Sequence, residues 1–244
     1  MFPIRDHNPS GRVPFVTFAL IAVNVVTFLA YYPAASELWL ARFYYTWGVI
    51  PADMWAFDSA ATWISHMFIH AGWMHLAGNM LFLWIFGDNL ESEMGHAGFL
   101  LFYLLAGAAA AIGQALPDPG SAVPMVGASG AIAGVMGGYL LLYPRAQVDV
   151  LLIVVIFFRV FTLPAWLVLG LWFAIQIFSG VAVPGDGVAY LAHAGGFVAG
   201  LILTLPLWLR RGGRRFWQEN AGHPPHPGAE YSLSQSRIPR VGRR

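Results

Sequence analysis

Six apolar runs, each close to the length needed to cross a bilayer, constrain this chain more than any other feature. They cover roughly Phe15–Tyr32, Trp63–Gly87, Ala97–Leu116, Pro124–Tyr143, Pro164–Gly180 and Val188–Leu209. Only 10% of the 244 residues are charged, against about 25% in a soluble domain. So few charges cannot coat a water-facing surface of this size, and lipid must meet the apolar excess. The expected fold is an all-α membrane protein, one bundle of six transmembrane helices over residues 1–211. The first run is too long for a signal-peptide core and lacks a clear cleavage site, so it reads as a span that stays. Val150–Phe161 is also apolar, but it is short and holds Arg159. It reads as an interfacial or re-entrant piece leading into the fifth span.

The distribution of charge sets the expected topology. All 13 basic residues are arginine, and eight of them lie at or beyond Arg210. A basic tail can signal nucleic acid. This one follows directly on an apolar span, so it reads as a topology signal and no nucleic-acid partner is expected. Six spans place both termini on one side, together with Arg5, Arg12 and Arg145, and leave Arg42 on the other. Both termini are therefore expected in the cytoplasm. Residues 33–62, rich in Trp, Tyr and Phe, suit a loop lying in the outer membrane interface. Residues 212–244 combine Gly, Pro, Arg and Ser with little apolar content, so they are expected to be a disordered basic cytoplasmic tail. The chain has no cysteine, which excludes disulfides, a thiol nucleophile and cysteine-ligated zinc. Exclusive use of arginine with abundant Ala and Gly suggests a GC-rich bacterial genome, hence a bacterial inner membrane. Oligomeric state is left open.

Polar groups inside a bilayer are costly and mark function by default. Here the second run carries His66, His70, His75 and Asn79, the fourth carries Ser129 and the sixth His193. All three are even-numbered runs with their polar residues in the first half, so these groups are expected at similar depth in the outer half of the membrane. His75 and Asn79 are four apart and share a helix face, and His66 and His70 form a second such pair. Ser129 lies in Gly127-Ala128-Ser129-Gly130. Gly130, Gly134 and Gly138 repeat every four residues, as do Gly196 and Gly200 after His193. Two such small-residue faces let the fourth and sixth helices meet backbone to backbone. That proximity brings Ser129 and His193 within reach, as base-activated nucleophilic attack requires. Asp and Glu are absent from the span centres, so a Ser–His dyad is expected, with Asp186 given no role. His75, Asn79 and the Ser129 backbone N–H are the candidate oxyanion donors.

Other readings stand beside this one. Gly-Ala-Ser-Gly alone is more often plain helix packing. Histidines on helices also ligate haem or metal, although that leaves Asn79 and Ser129 unexplained. A channel or transporter would place polar groups along a whole path, whereas here they stop halfway, and no internal repeat is evident.

Over residues 10–210 the chain resembles the rhomboid family of intramembrane serine proteases. The family pattern H-x4-H-x3-N matches His70, His75 and Asn79. G-x-S-G matches Gly127, Ser129 and Gly130. A-H-x-x-G-x-x-x-G matches Ala192, His193, Gly196 and Gly200, and G-x3-E-x3-G matches Gly87, Glu91 and Gly95. The resemblance implies Ser129 as nucleophile, His193 as base and His75 with Asn79 at the oxyanion. It implies a structural role for Glu91, single-span membrane proteins as substrates, and no cofactor or metal, while the second polar face of the second run, with His66 and His70, is expected to hold the span entrance and the outer loop together. A fifth span that gates lateral substrate access is also implied. Two features depart from patterns found in members of the family. Ala61 and Thr62 replace a Trp-Arg pair, and Ala133 replaces an aromatic residue that packs on the histidine ring, leaving Tyr190 or Phe197 to orient His193. An inactive rhomboid-like binder is the alternative, although such relatives usually lose the catalytic Ser or His and this chain keeps both.

Overall fold

The computed structural model describes residues 2–8, 10–154, 157–182, 188–225 and 227–229. A short strand, β1 (Phe2–Asp6), leads into α1 (Phe15–Tyr31). The following segment holds α2 (Glu37–Trp47), capped by the Ser36 hydroxyl on the Trp39 N–H, and the short α3 (Thr62–Ser65). α4 (Trp73–Met94), α5 (His96–Ala115), α6 (Ser129–Leu142), α7 (Ala165–Ala182) and α8 (Tyr190–Arg210) supply the rest of the bundle. Between α6 and α7 run the strands β2 (Gln147–Val154) and β3 (Phe157–Pro164), and α9 (Arg214–Glu219) follows α8. α5 and α8 are each long and apolar enough to cross a membrane. α1, α6 and Ala165–Gly180 are apolar but shorter.

α6 is the centre of the bundle. It is apolar all round, and almost every residue from Gly130 to Tyr139 is buried, as expected of a helix with neighbours on every side. α8 lies against it at backbone contact. A Cβ on Gly196 would strike the Gly130 carbonyl oxygen, and one on Gly200 would strike that of Gly134. Gly134 and Gly130 face Ala106 and Ala110 of α5 in the same close manner. The glycine spacing thus produces a three-helix core in which α6 touches both neighbours through small residues.

Four expectations are corrected. The second apolar run is not one helix over Trp63–Gly87. It breaks after a 3-10 turn at His66–Phe68, becomes extended at Ile69, and restarts as α4 at Trp73. The break is stable because the Tyr31 hydroxyl accepts from the His70 N–H (2.7 Å) and donates to the His70 C=O (2.6 Å), satisfying peptide groups that a helix would otherwise pair. His66 and His70 therefore do not share a helix face.

The fold is also not all-α, and Val150–Phe161 is not a re-entrant piece. β1, β2 and β3 form an antiparallel sheet in that order, pairing Arg5 with Asp149 and Val150 with Phe161. Val148 and Val150 point into the core, while Asp149, on the opposite face, takes Arg5 Nε (2.6 Å), His7 Nε2 (2.8 Å) and the Thr162 hydroxyl (2.6 Å). Two-residue alternation is the signature of a strand.

The described part of the tail is folded rather than disordered. Phe216 of α9 is buried, Trp217 Nε1 donates to the Leu141 carbonyl (3.0 Å), and Ala229 N–H pairs with the His7 carbonyl (2.8 Å). Phe216 and Trp217 pack this segment against the end of α6. Residues 230–244 of the expected disordered tail, and Asp186, lie outside the described residues. The segment of residues 33–62 presents Leu38, Trp39, Tyr45, Trp47 and Trp55 outward, and α2 buries no residue.

Candidate active site

Ser129 opens α6, so its backbone N–H belongs to the first turn and has no intrahelical acceptor. The turn before it is fixed by Gly127, whose φ of 129° falls where side-chain-bearing residues are strained. A Cβ there would also lie 2.7 Å from Cε1 and Nε2 of His75. Gly127 N–H donates to the His66 carbonyl (2.8 Å), and His66 Nδ1 donates to the Thr62 carbonyl (2.7 Å). His66 is thus a brace for the turn that carries Ser129.

His193 sits near the start of α8, where the glycine contacts hold that helix against α6. Its Nε2 is 2.8 Å from Ser129 Oγ. The other ring nitrogen, Nδ1, is 2.6 Å from Oε1 of Gln176 on α7. An amide oxygen only accepts, so Nδ1 carries the proton and Nε2 offers its lone pair to the serine hydroxyl. Ala192 N–H donates to Gln114 Oε1 (3.0 Å), tying this end of α8 to α5. Of the two rings expected to orient His193, Tyr190 stands edge-on at 6.5 Å, while Phe197 stacks on Phe173 instead. Trp172 of α7 lies 5.8 Å away on the histidine.

His75 and Asn79 sit on the first turns of α4 and line the same cavity as Ser129 and His193, a space of about 920 Å³. Ala71 N–H points at His75 Nδ1 (3.4 Å), which leaves Nε2 of that ring as the N–H donor. Asn79 Nδ2 is buried and has no hydrogen-bond partner. A buried amide donor normally finds one, so this group is available to something that enters the cavity. The His70 ring is also buried with neither nitrogen partnered, and stands edge-on to His75 at 5.1 Å.

Glu91 lies at the far end of α4. Its Oε1 accepts from Val16 N–H (2.8 Å) and His96 Nδ1 (2.6 Å), and its Oε2 from the Thr17 N–H and hydroxyl (both 2.7 Å). The carboxylate therefore caps the N-terminus of α1 and pins the turn into α5, which needs Gly95 at φ 71°. Gly87 lets Thr17 approach α4. These three residues hold α1, α4 and α5 together at the end away from Ser129.

Sequence reasoning missed Gln176, Gln114 and Trp172. Gln176 had one available signal: with Ser179 it is one of two polar side chains in the fifth apolar run.

Comparison with known proteins adds the family. The Rhomboid domain model matches residues 57–210. This chain belongs to the rhomboid family. It is similar to Rhomboid protein 1, mitochondrial, of Saccharomyces cerevisiae, at 29% identity over 77% of this chain and 51% of that protein. It is also similar to Rhomboid-like protein 11, chloroplastic, of Arabidopsis thaliana, at 45% identity over 29% of this chain and 25% of the relative. Rhomboid protease GluP of Bacillus subtilis is 43% identical over 30% of this chain and 14% of its own length. The chain thus spans a quarter to half of the length of the first two relatives. Family and apolar helices together make this rhomboid a membrane protein.

Proposed function

We propose that this rhomboid is an intramembrane serine endopeptidase that cleaves single-span membrane proteins through a Ser129–His193 dyad. The observation that carries the reading is the 2.8 Å contact between Ser129 Oγ and His193 Nε2, opening on a cavity that Asn79, with its unpartnered Nδ2, also lines. In this mechanism His193 Nε2 takes the hydroxyl proton as Ser129 Oγ attacks the scissile carbonyl carbon. The developing oxyanion is stabilised by His75 Nε2–H, Asn79 Nδ2–H and the Ser129 backbone N–H. As the C–N bond breaks, His193 returns its proton to the leaving amine, and an ester remains on Ser129. Water, activated by the same histidine, then attacks the ester and releases the acid.

The reading includes six membrane crossings, by α1, α4, α5, α6, α7 and α8. The sheet and the tail lie in the cytoplasm of a bacterial cell, and the outward-facing aromatics of residues 33–62 lie in the opposite interface. Its test is labelling of the purified protein with a fluorophosphonate, followed by mass mapping. Label on Ser129 that is lost in His193→Ala, with cleavage of a single-span substrate in liposomes abolished by Ser129→Ala, is the expected result. Cleavage retained by purified Ser129→Ala would overturn the mechanism. Absence of labelling in the wild type would turn the reading to a rhomboid that binds membrane proteins without cutting them.

A further inference from the structure

We infer that Gln176 is the positioning residue of the base, standing where a Ser–His–Asp triad has its carboxylate. This rests on the dyad proposed above. A histidine base must present one particular nitrogen, unprotonated, to the nucleophile, and the group on its other nitrogen decides which tautomer forms. Here that group is the Gln176 side chain, 92% shielded from solvent and 2.6 Å from Nδ1. Among the described residues, no carboxylate takes a hydrogen bond from His193. The titratable groups among the described residues that share its cavity are His75 of α4, Tyr44, Asp118 and Tyr190. Tyr190 meets the ring edge-on rather than through Nδ1.

The choice of an amide follows from the setting. A carboxylate at this buried position would carry a large desolvation cost. A neutral amide oxygen selects the same tautomer without that cost. It stabilises the imidazolium by its dipole alone, so the site keeps the orienting function of a triad acid and gives up part of its electrostatic one. Gln176 also accounts for how His193 is held although Ala133 offers no ring to pack on it. Trp172, one turn earlier on α7, stands tilted beside the imidazole at 5.8 Å, so a single helix supplies both the hydrogen bond and an aromatic neighbour.

The test uses two variants of the full chain in detergent, read by kcat, KM and the pH profile on a single-span substrate and by the rate of fluorophosphonate labelling. Gln176→Leu keeps the side-chain volume and removes the acceptor. It is expected to lower kcat and the labelling rate by about 10²-fold, with KM unchanged, because general-base catalysis of this kind is worth about 10²–10⁴. Gln176→Glu keeps an acceptor and adds a charge. It is expected to restore most of the activity at high pH and to move the acid limb of kcat/KM to higher pH, since a neighbouring carboxylate favours the imidazolium. A merely structural role predicts that both variants lose activity together with thermal stability and leave the acid limb where it was, and that result overturns the assignment. So does a Gln176→Leu protein that labels at the wild-type rate. Failure of the wild-type protein to label at all would instead overturn the dyad, which keeps the two failures distinguishable.

Discussion

Replacing Asn79 by leucine should make this protein more stable and less active at once. Asn79 is 8% exposed and its Nδ2 donor has no partner, so the folded state carries the desolvation of an amide N–H without a compensating bond. Such an orphan costs about 1–3 kcal/mol. Leucine has nearly the same shape and brings no donor. Because the residue borders the cavity, the lower figure applies, about 1 kcal/mol, or an unfolding temperature raised by about 2–4 °C for a chain of this size. Catalysis moves the other way. Loss of one oxyanion donor costs about 10²–10³ in kcat, and His75 Nε2–H and the Ser129 N–H remain, so about 10²-fold is expected. The loss should fall on kcat with KM unchanged, since the oxyanion exists only in the transition state. The assays are thermal unfolding in detergent and steady-state cleavage of a single-span substrate. A lower unfolding temperature, or a raised KM with kcat intact, would refute the reasoning and make Asn79 a packing or substrate-binding residue.

Two further outcomes follow from the end of the bundle away from Ser129. Glu91→Gln leaves one acceptor oxygen where two oxygens take four hydrogen bonds, so one of the two donor pairs, Val16 N–H with His96 or the Thr17 N–H with its hydroxyl, meets an amide NH₂ instead. We expect a loss of about 3 kcal/mol in stability from charge-assisted bonds, seen in thermal unfolding, with kcat of the folded protein unchanged. A drop in kcat without a drop in unfolding temperature would show that Glu91 acts on the site. Asp6 gives a pH-dependent case. Burial first, and then the charge of Asp88, push its pKa from 3.8 up to about 7. Folding therefore favours the protonated acid, and the resulting stabilisation is complete below about pH 4 and lost as pH rises to about 7. Asp6→Asn should unfold at a higher temperature than wild type at pH 8, with the gap closing by pH 4. An equal gap at both values would mean that Asp6 does not titrate in this window.

How much of this was legible in the sequence depended on whether the relevant physics was local. The glycines at 130, 134, 196 and 200 repeat at helix spacing, so the contact between α6 and α8, and the meeting of Ser129 with His193, follow from counting residues. The break at Ile69 does not follow, because the partner that makes it stable is Tyr31, which bonds His70 from 39 residues earlier. The sheet was hidden for a related reason. β2 and β3 read as one apolar stretch, and the alternation that separates Asp149 from Val148 and Val150 is short enough to pass for noise until Arg5, His7 and Thr162 are placed around it. Gln176 was hidden by the question asked of the sequence. A search for the third member of a triad looks for Asp or Glu, and a bilayer penalises those residues most. The group that can orient a histidine there at least cost is a neutral acceptor, and an amide in an otherwise apolar helix is what such a group looks like in sequence. An intramembrane base therefore calls for a search among Asn and Gln as well as the acids, and in this chain the fifth apolar run contains a single residue of that kind.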